Sequence, residues 1–427
     1  MALVPGPARH NLLRPELIVI VGGLIATAHA AMMITIPALP TFVDDLGSFL
    51  FIGVAMSYGI ALASSSVGRV VTNIPAGILS ERIGRKPIMI AGAIIVTVFG
   101  SLTGVAPNAP TLWLFRLLMG IGSAMVITVA NVVATDLSSV DNRGRVLGLM
   151  HGMQLVVGIS TPALGGFLAG LVDIRAPFYV SGGGTAIFAV WALFRLPETR
   201  PHIPRIAGAI SSFRQPSGAM SLLKDPSFFW ACMLGFSTFY LRNGATTGLI
   251  PLYMKEVLDM GPIQLGLLFT VASVIHGIII YPAGWASDIW GRKPLIVPTG
   301  ILVGIGVAAI PFMTEVMPFI ITFVLLHAAV GWGGQAPTAY LGDIAPDGMR
   351  GAAFGMYRTF GDTAGIIGPL VALGLADYVS FKVAFGSGAI LWLATIIVFW
   401  RVAKESAGSK RTHPRTMRAD TAPSSRH

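Results

Sequence analysis

The chain repeats itself. Gly77 to Pro87 read GILSERIGRKP, and Gly284 to Pro294, 207 residues later, read GWASDIWGRKP. With no gap inserted, the same spacing lays Pro75 on Pro282, Asp136 on Asp343, Arg143 and Gly144 on Arg350 and Gly351, Gly148 on Gly355, Gly158 on Gly365 and Pro162 on Pro369. A match this long over Gly, Pro and charged positions means two copies of one structural unit, so the fold must have two similar halves.

The solvent of that unit follows from composition. The chain is 54% hydrophobic and only 11% charged, where soluble domains carry roughly 25% charge. Runs long enough to cross a hydrocarbon core of ~30 Å lie near Leu17 to Phe42, Leu50 to Leu79, Pro87 to Ala106, Thr111 to Ala134, Arg145 to Leu171 and Pro177 to Arg195. A second set lies near Pro226 to Leu252, Pro262 to Ala286, Pro294 to Met313, Met317 to Leu341, Ala352 to Ala376 and Val383 to Val402. Backbone groups cannot face lipid unpaired, so each run is expected to be a helix. The prediction is an all-α integral membrane fold with twelve transmembrane helices in two pseudosymmetric six-helix bundles.

The expected organisation is an N-tail (1–16), a first bundle (17–196), a polar linker rich in Arg, Pro and Ser (197–225), a second bundle (226–403) and a basic tail (404–427). Most Lys and Arg fall in the tails and in the loops after runs two, four, six, eight and ten, whereas Arg175, Lys255 and Lys382 fall opposite. The positive-inside rule then puts both termini in the cytoplasm of a multi-pass protein of the plasma (inner) membrane. This topology and the basic tail account for the net charge of +10, with the lipid bilayer as partner and no nucleic acid. Arg9 and Arg14 before an apolar stretch resemble a signal peptide, but the stretch continues past Ala30 and cleavage would break the six-plus-six pattern. The lone Cys232 excludes an intramolecular disulfide. No His-x-x-x-His pair, Gly-x-Ser-x-Gly elbow or phosphate-binding Gly-Lys-Ser/Thr sequence occurs, so no enzyme, metal or cofactor is expected.

These motifs resemble the major facilitator superfamily along nearly the whole chain, most closely its drug:proton antiporter-like branch. That family's loop motif is Gly-x-x-x-Asp-Arg-x-Gly-Arg-Lys; Gly77, Arg82, Gly84, Arg85 and Lys86 match it, with Glu81 for Asp. The second copy keeps Asp288, Gly291, Arg292 and Lys293, with Ile289 in place of Arg. Arg116 with Gly120 and Gly122 is similar to the helix-four motif, and Pro197-Glu198-Thr199 to the usual end of helix six. The helix-five antiporter motif is partly kept in Gly158, Pro162, Gly165 and Gly166, but Thr161 replaces a Gly and the helix-one Asp is absent. The resemblance implies a transporter working by alternating access on a small-molecule substrate, coupled to protons, as a monomer.

Physically, a carboxylate followed by Arg and Lys in a Gly-containing loop can latch neighbouring helix ends. The expected cytoplasmic gate has Glu81 capping helix eleven while Arg85 and Arg292 reach Asp136 and Asp343, contacts expected only when that side is closed. Ionisable residues at membrane depth are costly and so functional by default. In the family fold, helices one, four, seven and ten line the cavity; here they carry His29, Arg116, Arg242 and His327, with Asn243 and Gln335 nearby and no carboxylate. A positive or neutral cavity of this kind favours anionic, zwitterionic or neutral amphipathic substrates. A second set sits at the seam between the halves: Arg69, His151, His276, Arg358 and Asp362. Asp362 needs neutralisation by Arg69, Arg358 or both and is the candidate for proton coupling. The reading is proton-linked export; the alternatives are uptake or facilitated diffusion of an organic anion or other nutrient, and a non-transporting sensor.

Overall fold

The computed structural model describes residues 15–138, 143–199, 220–334, 336–346 and 349–406. Most of the linker, most of both tails and Gln335 lie outside them. The fold is all-helical. Spans two to six are Val54–Arg82, Arg85–Leu102 with a 3-10 turn Thr103–Val105, Ala109–Asp136, Arg143–Leu171 and Ala176–Arg195. Spans eight, nine, eleven and twelve are Pro262–Trp290, Lys293–Ala309 with a turn Ile310–Phe312, Arg350–Tyr378 and Phe381–Val402.

Of the other three, spans one and seven are broken, where uninterrupted helices were expected. Span one runs Pro15–Met33, turns, and resumes as Leu39–Leu46; Pro37 sits in the turn and has no N–H to continue the ladder. Span ten is described over Val316–Gly333 and Ala336–Ile344, with Gln335 between them outside the described residues. Span seven is Pro226–Tyr240, a π-helical stretch Leu241–Leu249, and Ile250–Glu256. That interruption is why eleven, not twelve, single helices among the described residues are long and apolar enough to cross a membrane.

Spans one to six pack together, as do seven to twelve, and the bundles meet along two seams, span two on eleven and span five on eight. Small residues make the crossings, as expected where lipid offers no hydrophobic drive between helices. Gly166 and Gly266 lie back to back: a Cβ on Gly166 would sit 3.1 Å from the Gly266 Cα and closer still to the Pro262 carbonyl. A Cβ on Gly59 would lie 2.9 Å from the Pro369 carbonyl. Pro162 interrupts the span-five ladder, and the next N–H, Ala163, donates across the seam to Thr270 Oγ1 at 3.0 Å.

All of these contacts lie at the end away from the repeated loops. At the loop end, a Cβ on Gly148, Gly152, Gly284 or Gly355 would meet nothing within 4 Å. The halves therefore touch at the far end and diverge toward the loops, leaving a central space open at the loop end.

Candidate functional site

The two repeated loops build the same network twice. Gly84 and Gly291 have φ of +127° and +104°, a conformation glycine adopts without strain, and each turns the chain into the next span. The first N–H groups of span three, Arg85 and Lys86, donate to Glu198 at 2.8 and 3.1 Å. Those of span nine, Arg292 and Lys293, donate to Glu405 at 3.0 Å each. Arg85 Nε lies 3.3 Å from Asp136 and its Nη1 donates to Ser80 at 2.9 Å. Arg292 Nε lies 3.1 Å from Asp343, and its Nη1 donates to Ser287 at 2.8 Å and pairs with Asp288 at 2.6 Å. Partial burial works against the charge of Arg292, but hydrogen bonds and charge from Asp343 and Asp288 outweigh it and raise its pKa.

These pairs correct one expectation. Both partners of Arg85–Asp136 belong to the first half and both partners of Arg292–Asp343 to the second, so they hold while the loop end stands open. They brace each bundle rather than join the two. Glu81, expected on the N-terminus of span eleven, is exposed and has no ion pair among the described residues. From the sequence, Glu198 was named only as part of the Pro197-Glu198-Thr199 end of helix six and Glu405 not at all, although the two are 207 residues apart, as are Thr199 and Ser406 beside Asp136 and Asp343. Each caps a helix start, a role worth about 0.5–2 kcal/mol. Glu198→Ala and Glu405→Ala are therefore expected to lower the thermal unfolding midpoint by similar amounts. A drop in only one of them would show that the second copy of the network carries no load.

The far end is held by bonds between the halves. Lys255 pairs with Asp44, Asp377 of span eleven accepts the Met56 N–H of span two at 3.3 Å, and Tyr378 Oη donates to the Phe51 carbonyl at 3.0 Å. Pro251 lacks the N–H that would bond to the Thr247 carbonyl in an α-helix. Tyr58 supplies the missing donor from span two, at 2.6 Å.

Between the ends lies the ionisable cluster. Arg242 is exposed yet electrostatically coupled to His29 of span one, Arg69 of span two, His276 of span eight and Arg358 of span eleven, which places it in the space between the halves. It has no hydrogen bond or ion pair among the described residues. His29 reaches the open flank of Gly158. His327 packs on Phe323, with ring centroids 4.1 Å apart and Nδ1 3.0 Å from the Phe323 carbonyl, and is coupled to His276. Asn243 donates to the Phe239 carbonyl at 2.8 Å. Arg358 pairs with Asp362 at 3.2 Å and lies over the Phe239 ring. Arg69 donates to Ser66 Oγ and toward Met32 Sδ, each at 2.9 Å. His151 is exposed on span five.

Arg116, expected in the cavity, is not there. It is 1% exposed, donates to Thr35 Oγ1 at 3.2 Å and lies beside Tyr58. The reason is the close approach of spans two and four: Gly120 abuts the Ser65 backbone and Gly68 the Leu117 carbonyl, so span two covers the guanidinium.

Two six-helix bundles closed at one end, with a charged cluster in the open space between them, have the architecture of a membrane transporter. The profile of the Major Facilitator Superfamily matches residues 21–275 and 232–424, and the chain belongs to that family. It is 26% identical over 370 residues to a tetracycline resistance protein, class H, of Pasteurella multocida, covering 85% of this chain and 88% of that one. It is 23% identical over 394 residues to multidrug resistance protein 2 of Bacillus subtilis, covering 90% and 95%. Among solved structures, a D-xylose-proton symporter superposes with a TM-score of 0.75 at 15% identity, covering 92% of this chain and 98% of that chain.

Proposed function

We propose that the protein exports small amphipathic molecules that are anionic, zwitterionic or neutral, in exchange for protons, across the plasma membrane. The observation that carries this reading is the cavity cluster, in which Asp362 lies beside Arg69 and Arg358, while Arg242, His29 and His276 add basic groups with no further carboxylate among the described residues there. A field of that sign repels permanent cations. The names of the tetracycline and multidrug resistance relatives support export. The positive-inside distribution supports cytoplasmic termini, so the loop end is the cytoplasmic end and the described state is open to the cytoplasm.

In the opposite state the loop ends approach and the far end parts. Glu81 then comes within reach of span eleven, the gate contact expected of it from the repeated loop, and by the pseudosymmetry Asp288 comes within reach of span five. Purified protein reconstituted into proteoliposomes tests the function. Ligands that raise its melting temperature in a diverse panel are followed by flux with and without a pH gradient. Accumulation of an anionic or neutral hit that disappears when the gradient is collapsed is the expected result. Flux indifferent to the gradient would instead mean facilitated diffusion.

A further inference from the structure

Of the described residues, those that carry charge into the cavity stand on α-helix, except in span seven, where nine residues are π-helical. Such a turn holds an extra residue and is frequent at functional sites. Its buried side is Leu241, Gly244, Ala245, Gly248 and Leu249; Gly244 abuts the Gly368 backbone of span eleven. Of the rest, Arg242 is exposed and Asn243, Thr246 and Thr247 are half-buried, the Thr247 carbonyl being taken by Tyr58. Asn243 turns its amide back to the Phe239 carbonyl, so Arg242 is the group that the π turn presents.

Its neighbours leave it unsatisfied. Asp362 is already bonded to Arg358 at 3.2 Å, and Arg69 is held by Ser66 and Met32. The groups facing Arg242 from the other spans are His29, Arg69, His276 and Arg358, none of which can neutralise it. A guanidinium presents a planar fork of donors that matches a carboxylate bidentately. An uncompensated charge at membrane depth calls for a counter-charge.

We propose that Arg242 anchors the carboxylate of an anionic amphipathic substrate, and that Arg116 does not touch it. This rests on the transport reading for its biological meaning, but binding can be measured without it.

The test uses the purified full chain and three probes of one shape: 2-naphthoate, its neutral carboxamide, and trimethyl-2-naphthylammonium. A charge-assisted contact sets the expectation that wild type binds naphthoate at least about tenfold more tightly than either analogue. Arg242→Gln should erase the preference and Arg242→Lys should keep part of it. Without any mutation, naphthoate should protect Arg242 from phenylglyoxal in peptide mass spectra. A preference that survives Arg242→Gln, equal or tighter binding of the ammonium probe, no naphthoate binding by wild type, or unprotected Arg242 would each overturn the proposal. Selective binding without flux in proteoliposomes would remove the transport reading and leave the anchor standing. Flux of naphthoate indifferent to Arg242→Gln would sink the anchor and leave transport standing.

Discussion

Gly166→Val is expected to drive the protein out of the conformation described here. The valine would press on the Pro262 carbonyl and the Gly266 backbone, and neither is a side chain that can rotate away. Overpacking of this kind costs about 1–3 kcal/mol, which in a two-state protein shifts the populations by roughly 5–150-fold. The strain is relieved only by parting spans five and eight at the far end, so that end should open. Spin labels on the far ends of the two bundles should report longer distances, and transport should fall because the cycle cannot return. Gly148→Val is the counterpart at the loop end. Its Cβ meets nothing within 4 Å in this state, so it should leave these distances unchanged while hindering closure of the loops. Unaltered far-end distances in Gly166→Val would mean that the glycine crossing is not a gate.

Asp362→Asn is expected to abolish gradient-driven accumulation while leaving downhill flux. In the described state the carboxylate is tied to Arg358 at 3.2 Å and feels the charge of Arg69, whose guanidinium is bonded within its own half. Burial favours the protonated form and a nearby Arg the ionised form. Closing the loop end would bring Arg69 closer to Asp362 along the seam between spans two and eleven and so change the charge that the carboxylate faces. The asparagine cannot alternate. A loss of accumulation of at least about tenfold, about 1.4 kcal/mol, is the expected result. If accumulation and its pH dependence persist, the Arg358–Asp362 pair is a fixed brace and coupling belongs to another ionisable group of the cluster, His29, His276 or His327.

The repeated loop was readable because its geometry is local. A Gly at positive φ, an Arg five residues after a Ser and an Asp at the end of span four are set by positions along the chain. The spacing that paired Asp136 with Asp343 also pairs Glu198 with Glu405. The caps were thus present in the sequence, and they stand where a polar linker and a polar tail hide two functional carboxylates. Arg116 was misplaced for a different reason. In a membrane helix the faces toward lipid, toward a neighbour and toward a cavity are all apolar, so periodicity does not tell them apart. Only the packing of Gly68 and Gly120 decides that its guanidinium is covered.

Amino-acid order alone determined the membrane environment, the twelve spans and their division into two like halves, because each rests on hydrophobic length and on a spacing that needs no neighbour. Tertiary structure alone decided which end is closed, that the Arg–Asp pairs lie within halves rather than between them, and that span seven carries a π turn. Those outcomes depend on contacts between segments far apart in sequence, such as Tyr58 with Thr247 and Gly166 with Gly266, and each involves groups whose partners no local pattern names. Arg242 belongs to the same class: its residue type is written in the chain, but its lack of a partner among the described residues is a property of the space between the two bundles.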